Sequence, residues 1–376
     1  MTQDAAVEVV IPVHDASRPL GRTLRSLRPD AEALGEQLRI TVVCHNVAAQ
    51  VIADSLTAEE RDSVHLLELH DGRSTPAGPR AEALARSRAR FVSFIDSDDW
   101  LEPGALTAWL EVAERVDAVA VIAPERHARG RPVRNPPLRP WHRGALDPRL
   151  DRLPYRSAMR GLFSRSAALE LGIGFGTTPG NGSDLAFTLG YWFSGRPVHF
   201  ATRTPAYVLG DDAEDRVTRA PRPLAEEMAA TRQLLEGEWC AGLDPRDRRL
   251  IATKFVRVHL LPGLATRTRG PVSGESRAAA CRDAAEFLTL AATVAPGFER
   301  SLSMRDARLG SLLRTEPASS PRLRRALAAW WRFRPFSVLL TPRPGDLLRR
   351  DAPIRWVAAM VLLSLRLRPA ASAPSR

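Results

Sequence analysis

The sequence predicts a doubly wound, mostly parallel α/β sheet over residues 1–220, followed by a helical region over 221–376. Two observations carry this. From residue 7 to about 123, short apolar runs alternate with amphipathic segments, the pattern of a parallel sheet covered by helices on both faces. Beyond residue 221 no further strand run stands out, and the pattern is almost wholly helical.

The strands are read from VEVVIPV (7–13), RITVVCH (39–45), VHLLEL (64–69), FVSFID (91–96) and AVAVIA (118–123), and the helices between them from segments near 19–28, 48–56, 78–89 and 103–115. Ligands of such sheets bind outside the carboxyl ends of the strands, where strand order reverses. Three predicted strands end in polar groups, at Pro12 to Asp15, Cys44 to Asn46 and Asp96 to Asp99, so these are expected to share one cleft. Residues 124–156, rich in Arg and Pro and without periodicity, read as a long surface loop. Structure resumes at MRGLFS (159–164), with Ser164 as N-cap of the helix that follows. A Gly-rich turn (172–184) delivers Asp184 to the first turn of the helix DLAFTLGYWFSG.

Composition excludes several classes. Hydrophobic residues make up 44% and charged residues 26%, which argues against disorder. The apolar run WVAAMVLLSL (356–365) is too short to span a bilayer, and no signal-peptide pattern opens the chain, so a cytoplasmic location is expected. Cys44, Cys240 and Cys281 lie far apart, which suggests neither a disulfide framework nor a zinc site. The net charge of +11 is unevenly placed. Residues 1–123 hold 12 Arg against 20 acids, residues 126–156 hold 9 Arg against 2 acids, and residues 301–376 hold 15 Arg against 4 acids. The basicity of the middle loop and the tail points to an acidic partner, with anionic lipid, polyanionic glycan and nucleic acid all admissible. No aromatic-interleaved recognition motif accompanies the charge, which argues against nucleic acid.

The stretch FVSFIDSDDWLEP (91–103) runs from an apolar strand straight into Asp96, Asp98 and Asp99. Three negative charges at a strand tip are unfavourable unless a cation neutralises them, so a divalent metal is the natural expectation. The plainer reading is a polar turn in which Asp98 or Asp99 caps a helix.

Taken together these blocks resemble glycosyltransferase family 2, the inverting family whose catalytic domain has the GT-A fold, over roughly residues 7–218. VIPVHDASRPLGRTLRSL resembles the family's opening strand and helix. GPRAEALARSRARFVSFIDSDDWLEPGAL resembles its central block, with Arg80 sixteen residues before Asp96 of the Asp-x-Asp-Asp motif. The segment carrying Asp184 is similar to the one that bears the family's Glu-Asp pair, and YVLGDDAEDRVT (207–218) to the region that closes the domain. Three departures stand out: His45 occupies the place of the nucleobase-binding Asp, Ala81 replaces the usual Asn after Arg80, and Ser183 replaces the Glu of the pair.

The resemblance implies a nucleotide-diphosphate-sugar donor, a UDP-sugar first, with the base left open by His45. It implies donor contacts from Pro12, Val13, His45, Arg80, Asp96, Ser97 and Arg216. It also implies Mn²⁺ or Mg²⁺ held by Asp96 and Asp98, with Asp99 as ligand or support, and Asp184 as the base that deprotonates the acceptor hydroxyl. The acceptor expected from charge and family habit is a cell-envelope glycan, polyanionic or lipid-linked. The alternative is a catalytically silent member that binds a nucleotide-sugar or glycan. Read alone, Asp184 is also a good helix N-cap. The tail helix from Pro353 to Leu367, flanked by arginines, reads either as an interfacial element at the inner face of the membrane or as a helix packed in the core or against another copy.

Overall fold

The computed structural model describes residues 4–176, 182–210, 222–267 and 274–366. Its strands are β1 (Val7–Val13), β2 (Leu38–His45), β3 (His65–Leu69), β4 (Phe91–Phe94), β5 (Trp100–Leu101), β6 (Ala120–Ile122), β7 (Glu125–His127), β8 (Pro132–Val133), β9 (Gly161–Ser164), β10 (Val198–Phe200) and β11 (Tyr207–Leu209). Seven of them form one sheet in the order β10-β6-β9-β4-β1-β2-β3. β1 lies between β2 and β4 and runs parallel to both, while β9 is antiparallel to both β4 and β6. A smaller, four-stranded sheet has the order β5-β11-β7-β8. All five predicted strands are present, β1 with the expected bounds, β2 one residue longer, and β3, β4 and β6 shorter.

β1 explains why the prediction worked. A strand buried on both faces has no polar side, so it reads as an unbroken apolar run. Val7, Val9 and Ile11 pack with Leu24, Leu27 and Trp109 from the helices Leu20–Leu34 and Ala105–Arg115. Val10 points the other way, into a core with Phe94, Phe163 and Phe187. That second core continues without a break through Phe255, Leu261, Phe287 and Leu309 to Leu363. The C-terminal helices therefore pack on the sheet through shared apolar contacts.

Residues 124–156 depart from the expected surface loop. They contribute β7 and β8, and Leu138, Asp151, Arg152, Leu153, Tyr155 and Arg156 are buried. Their arginines act as internal struts: Arg156 Nη1 lies 2.6 Å from Glu125, Arg139 Nη2 2.7 Å from Asp151, and Arg152 donates to the carbonyls of Pro137 and Arg350. Guanidinium forks satisfy irregular backbone in place of a strand ladder, so burial here leaves no periodic trace. This removes part of the basic loop from any role towards an acidic partner.

Lys254, the chain's one lysine, is fully buried at the end of the helix Pro245–Lys254. Its Nζ lies 2.6 Å from His259 Nε2, which faces it across a π-helical turn, Phe255–Leu260. Burial pushes the ammonium down to about 7, and burial together with Lys254 pushes the His259 imidazole well below its usual range. Between pH 7 and the ordinary lysine range the folded chain thus carries fewer protons than the unfolded one, so stability rises with pH in that window. Below about pH 7 the full cost of burying the charge is felt. Lys254→Met should therefore be more stable than wild type near pH 7, by an amount on the order of a few kcal/mol. The gap should close towards pH 10; melting temperatures that run parallel across this range would disprove a buried, depressed lysine.

Candidate active site

Strand order reverses between β1 and β4, and the residues singled out above gather at the carboxyl ends of these strands and β2. Pro12 and Val13 end β1, and His45 ends β2. The amide of Ile95 still donates to Val10, and the chain then turns through Asp96, Ser97, Asp98 and Asp99, closed by the Asp99 amide donating to the Asp96 carbonyl. The turn is fastened from the side by Thr23, whose hydroxyl donates to the carbonyls of Ser97 and Asp99, and by Arg22, which donates to the carbonyl of Asp98.

Arg80 joins the two sides of the cleft. It is buried in the helix Ala77–Arg86, and its guanidinium reaches Asp96 Oδ1 with Nη2 at 2.5 Å and Asp184 Oδ1 with Nη1 at 2.8 Å. Asp184 stands in the first turn of the helix Ser183–Trp192, whose N-cap is Gly182 in the left-handed region (φ 105°). A left-handed cap favours glycine, and Asp184 is not the capping residue. Its carboxylate is turned to Arg80 instead. Asp96 keeps 40% of its side-chain surface open. The protein around it disfavours its charge, but Arg80 and Arg160 outweigh that and hold its carboxyl below the usual range.

Asp99 faces away from this opening. Its Oδ2 accepts from the Tyr207 hydroxyl at 2.8 Å and its Oδ1 from the Gly210 amide at 2.8 Å, with Arg160 at 3.8 Å. The Tyr207 hydroxyl in turn accepts from the Asp96 amide. A Cβ on Gly210 would stand 2.1 Å from the Asp98 carbonyl oxygen, so only glycine allows the approach. Burial first, and Asp96 second, push the Asp99 carboxyl up to about 7. Of the two roles open to Asp99, ligand or support, this geometry fits support; both its oxygens are taken by protein donors.

Among the described residues no group of three acids, histidines or cysteines converges on one point, so the expected triad of Asp96, Asp98 and Asp99 is not assembled as a cage. Two carboxylates suit Mg²⁺ or Mn²⁺ nonetheless, because such ions take one or two carboxylates and complete their shell with phosphate oxygens and water. Asp98, with Oδ2 3.8 Å from Arg18 Nη1, and the open Asp96 fit that requirement.

At the end of β2, His45 is buried and its Nε2 lies 2.7 Å from Asp71 Oδ1. Burial disfavours the Asp71 charge, but His45 and the Arg73 amide outweigh it and hold the carboxyl below its usual range. With Asp71 ionised, Nε2 carries the proton and donates. Asn46 follows with a positive φ of 57° and exchanges hydrogen bonds with Arg73 and Gly72. Arg216 lies outside the described residues.

Residues 8–172 match the sequence pattern of glycosyl transferase family 2. This part of the chain is similar to that family. No curated protein matches the chain in sequence. Among solved structures, S. aureus TarS residues 1–349 in complex with UDP-GlcNAc aligns with a TM-score of 0.69 at 14% identity, covering 86% of this chain and 91% of that one. The same fragment in complex with UDP gives 0.66 at 14%, over 86% and 90%. At this identity the likeness shows the fold, which is the GT-A fold with its helical C-terminal region.

The sequence alone did not single out Tyr207, Arg160, Asp71, Arg18 and Arg22. Arg18 and Arg22 stood in the quoted opening block, and Tyr207 in the closing one. Asp71 had a signal too, as the acid of an Asp-Gly pair just after a predicted strand.

Proposed function

We propose that the chain transfers a sugar, with inversion, from a nucleotide-diphosphate-sugar donor to a hydroxyl of a cell-envelope glycan, polyanionic or lipid-linked acceptor. The observation that carries this is the Arg80 bridge, which ties Asp184 and the strand-tip acid Asp96 of the family 2 segment into one opening. Asp184 takes the proton of the acceptor hydroxyl as its oxygen attacks the anomeric carbon. Asp96 and Asp98 would hold Mn²⁺ or Mg²⁺, which would supply positive charge to the departing diphosphate. Arg18 and Arg22, beside Asp98, add cationic surface on the same side. Arg80 holds Asp184 in place with a fixed fork and restrains Asp96 from the other direction. A single displacement needs no enzyme nucleophile, and inversion follows.

His45 and Asp71 together present a hydrogen-bonding edge at the base end of the cleft, where the family uses a carboxylate. A UDP-sugar is the first donor to test, and the complex of the TarS fragment with UDP-GlcNAc makes UDP-GlcNAc the first UDP-sugar. We place the reaction in the cytoplasm, peripheral to the inner face of the membrane. No helix among the described residues is long and apolar enough to cross one.

A thermal-shift screen of UDP-, GDP-, CDP- and dTDP-sugars, with and without Mn²⁺, tests the donor. A ligand at a hundred times its dissociation constant adds about 2.7 kcal/mol to the native state, so the preferred base stands out. UDP-sugars with Mn²⁺ are expected to give the largest shift. Failure of every donor to raise the melting temperature would refute the reading, and a shift without donor hydrolysis or transfer would leave the silent alternative.

A further inference from the structure

The C-terminal helix Pro353–Arg366 leaves an apolar stripe open to solvent. Ile354, Val357, Val361 and Leu365, spaced to form one stripe, are 39–56% exposed, whereas Ala359 and Leu363 make the buried side. Two neighbouring elements pack against this helix, Pro335–Leu339 and the turn Pro344–Leu348. They add Phe336 and Leu348, each 78% exposed, and Phe333, 72% exposed, precedes them. An ordinary amphipathic helix buries such residues. Contiguous exposed apolar side chains of this size mark an interaction surface.

Charge identifies the occupant. Arg332, Arg334, Arg343 and Arg355 are exposed among these residues. The segment 331–366 has two acids, Asp346 and Asp351, and both are buried in ion pairs, with Arg300 and Arg349 and with Arg257 respectively. The exposed charge of this segment is therefore all positive. A second copy docking through the same face would bring arginines against arginines. At about 1.5 Å per residue the helix is about 21 Å long, short of the roughly 30 Å of a hydrocarbon core, so it suits lying in the interface plane.

We infer that the surface formed by Phe333, Phe336, Leu348 and the Ile354–Leu365 stripe inserts into an anionic lipid bilayer, with the surrounding arginines held at the headgroups. This deepens the peripheral placement proposed above and uses no part of the sugar-transfer reading, so an inactive protein would leave it standing.

The test is co-sedimentation of the full chain with phosphatidylcholine vesicles, with and without phosphatidylglycerol, alongside light scattering in the absence of lipid. Wild type should bind the phosphatidylglycerol vesicles and leave pure phosphatidylcholine largely unbound. Val357→Ser with Val361→Ser should weaken binding about tenfold or more at an unchanged melting temperature, since both side chains are already exposed. Arg332→Gln and Arg343→Gln should each weaken it about fivefold and reduce its salt sensitivity. Equal binding to both vesicle types, or full binding by the double valine variant, would overturn the inference. So would a wild-type dimer that the valine variant dissociates and that ignores vesicles, which would assign the face to a second copy.

Discussion

Asp184→Asn is expected to bind donor as wild type does and to lose 10²- to 10⁴-fold in turnover. The structure makes this variant unusually clean. Arg80 donates to Asp184 Oδ1, and an asparagine carbonyl oxygen at the same place accepts that bond. The Arg80 contact with Asp96 is untouched, so the donor side keeps its arrangement. What disappears is proton affinity. A capping role would predict little change in activity, and the N-cap position is taken by Gly182, not Asp184. Transfer rate, donor affinity and melting temperature, measured together, separate the outcomes. Near-normal turnover with a cognate donor and acceptor would mean that the base lies elsewhere in the cleft.

Arg80 also shows what the sequence could and could not convey. Its spacing from Asp96 was readable, because a strand and the helix before it are local in sequence. Its bond to Asp184, 104 residues away, depends on where two helices meet across the sheet, and no local pattern encodes that. The core strands β1, β2 and β4 were legible as apolar runs, since both of their faces are buried. By contrast β10 and β11 are three residues each, too short for any period to register, and without β11 the role of Tyr207 cannot be seen. The Arg-rich segment 124–156 misled for a related reason. Composition reports charge, and the fold decides whether that charge meets solvent or, as for Arg152 and Arg156, buried backbone. Likewise Asp98 and Asp99 are chemically alike and adjacent, yet the turn that carries them sends one carboxylate towards Arg18 and the other into the Tyr207 and Gly210 donors.

That divergence sets the other large expected effect. Asp98→Asn should abolish the Mn²⁺-dependent part of donor binding, because an amide oxygen is a far weaker ligand for a hard cation than a carboxylate, and Asp96 is the other carboxylate proposed to hold the ion. The fold should survive. The Asp98 backbone carbonyl, which Arg22 holds, is unchanged, and an asparagine keeps the size and shape of the side chain beside Arg18. Asp99→Asn is the matching control. Burial already pushes that carboxyl up to about 7, so near neutral pH the native state tolerates an uncharged group there, and the amide oxygen still accepts from Tyr207 or Gly210. Its cost should appear as a modest loss of melting temperature, on the order of 1 kcal/mol for one strained or lost hydrogen bond, with Mn²⁺ dependence retained. Thermal shifts with the preferred nucleotide-sugar, with and without Mn²⁺, read both variants in one experiment. If Asp98→Asn keeps the full Mn²⁺-dependent shift, Asp98 is not a ligand. If Asp99→Asn loses it as completely as Asp98→Asn, the supporting role drawn from the Tyr207 and Gly210 bonds is wrong, and Asp99 must turn towards the metal when donor binds.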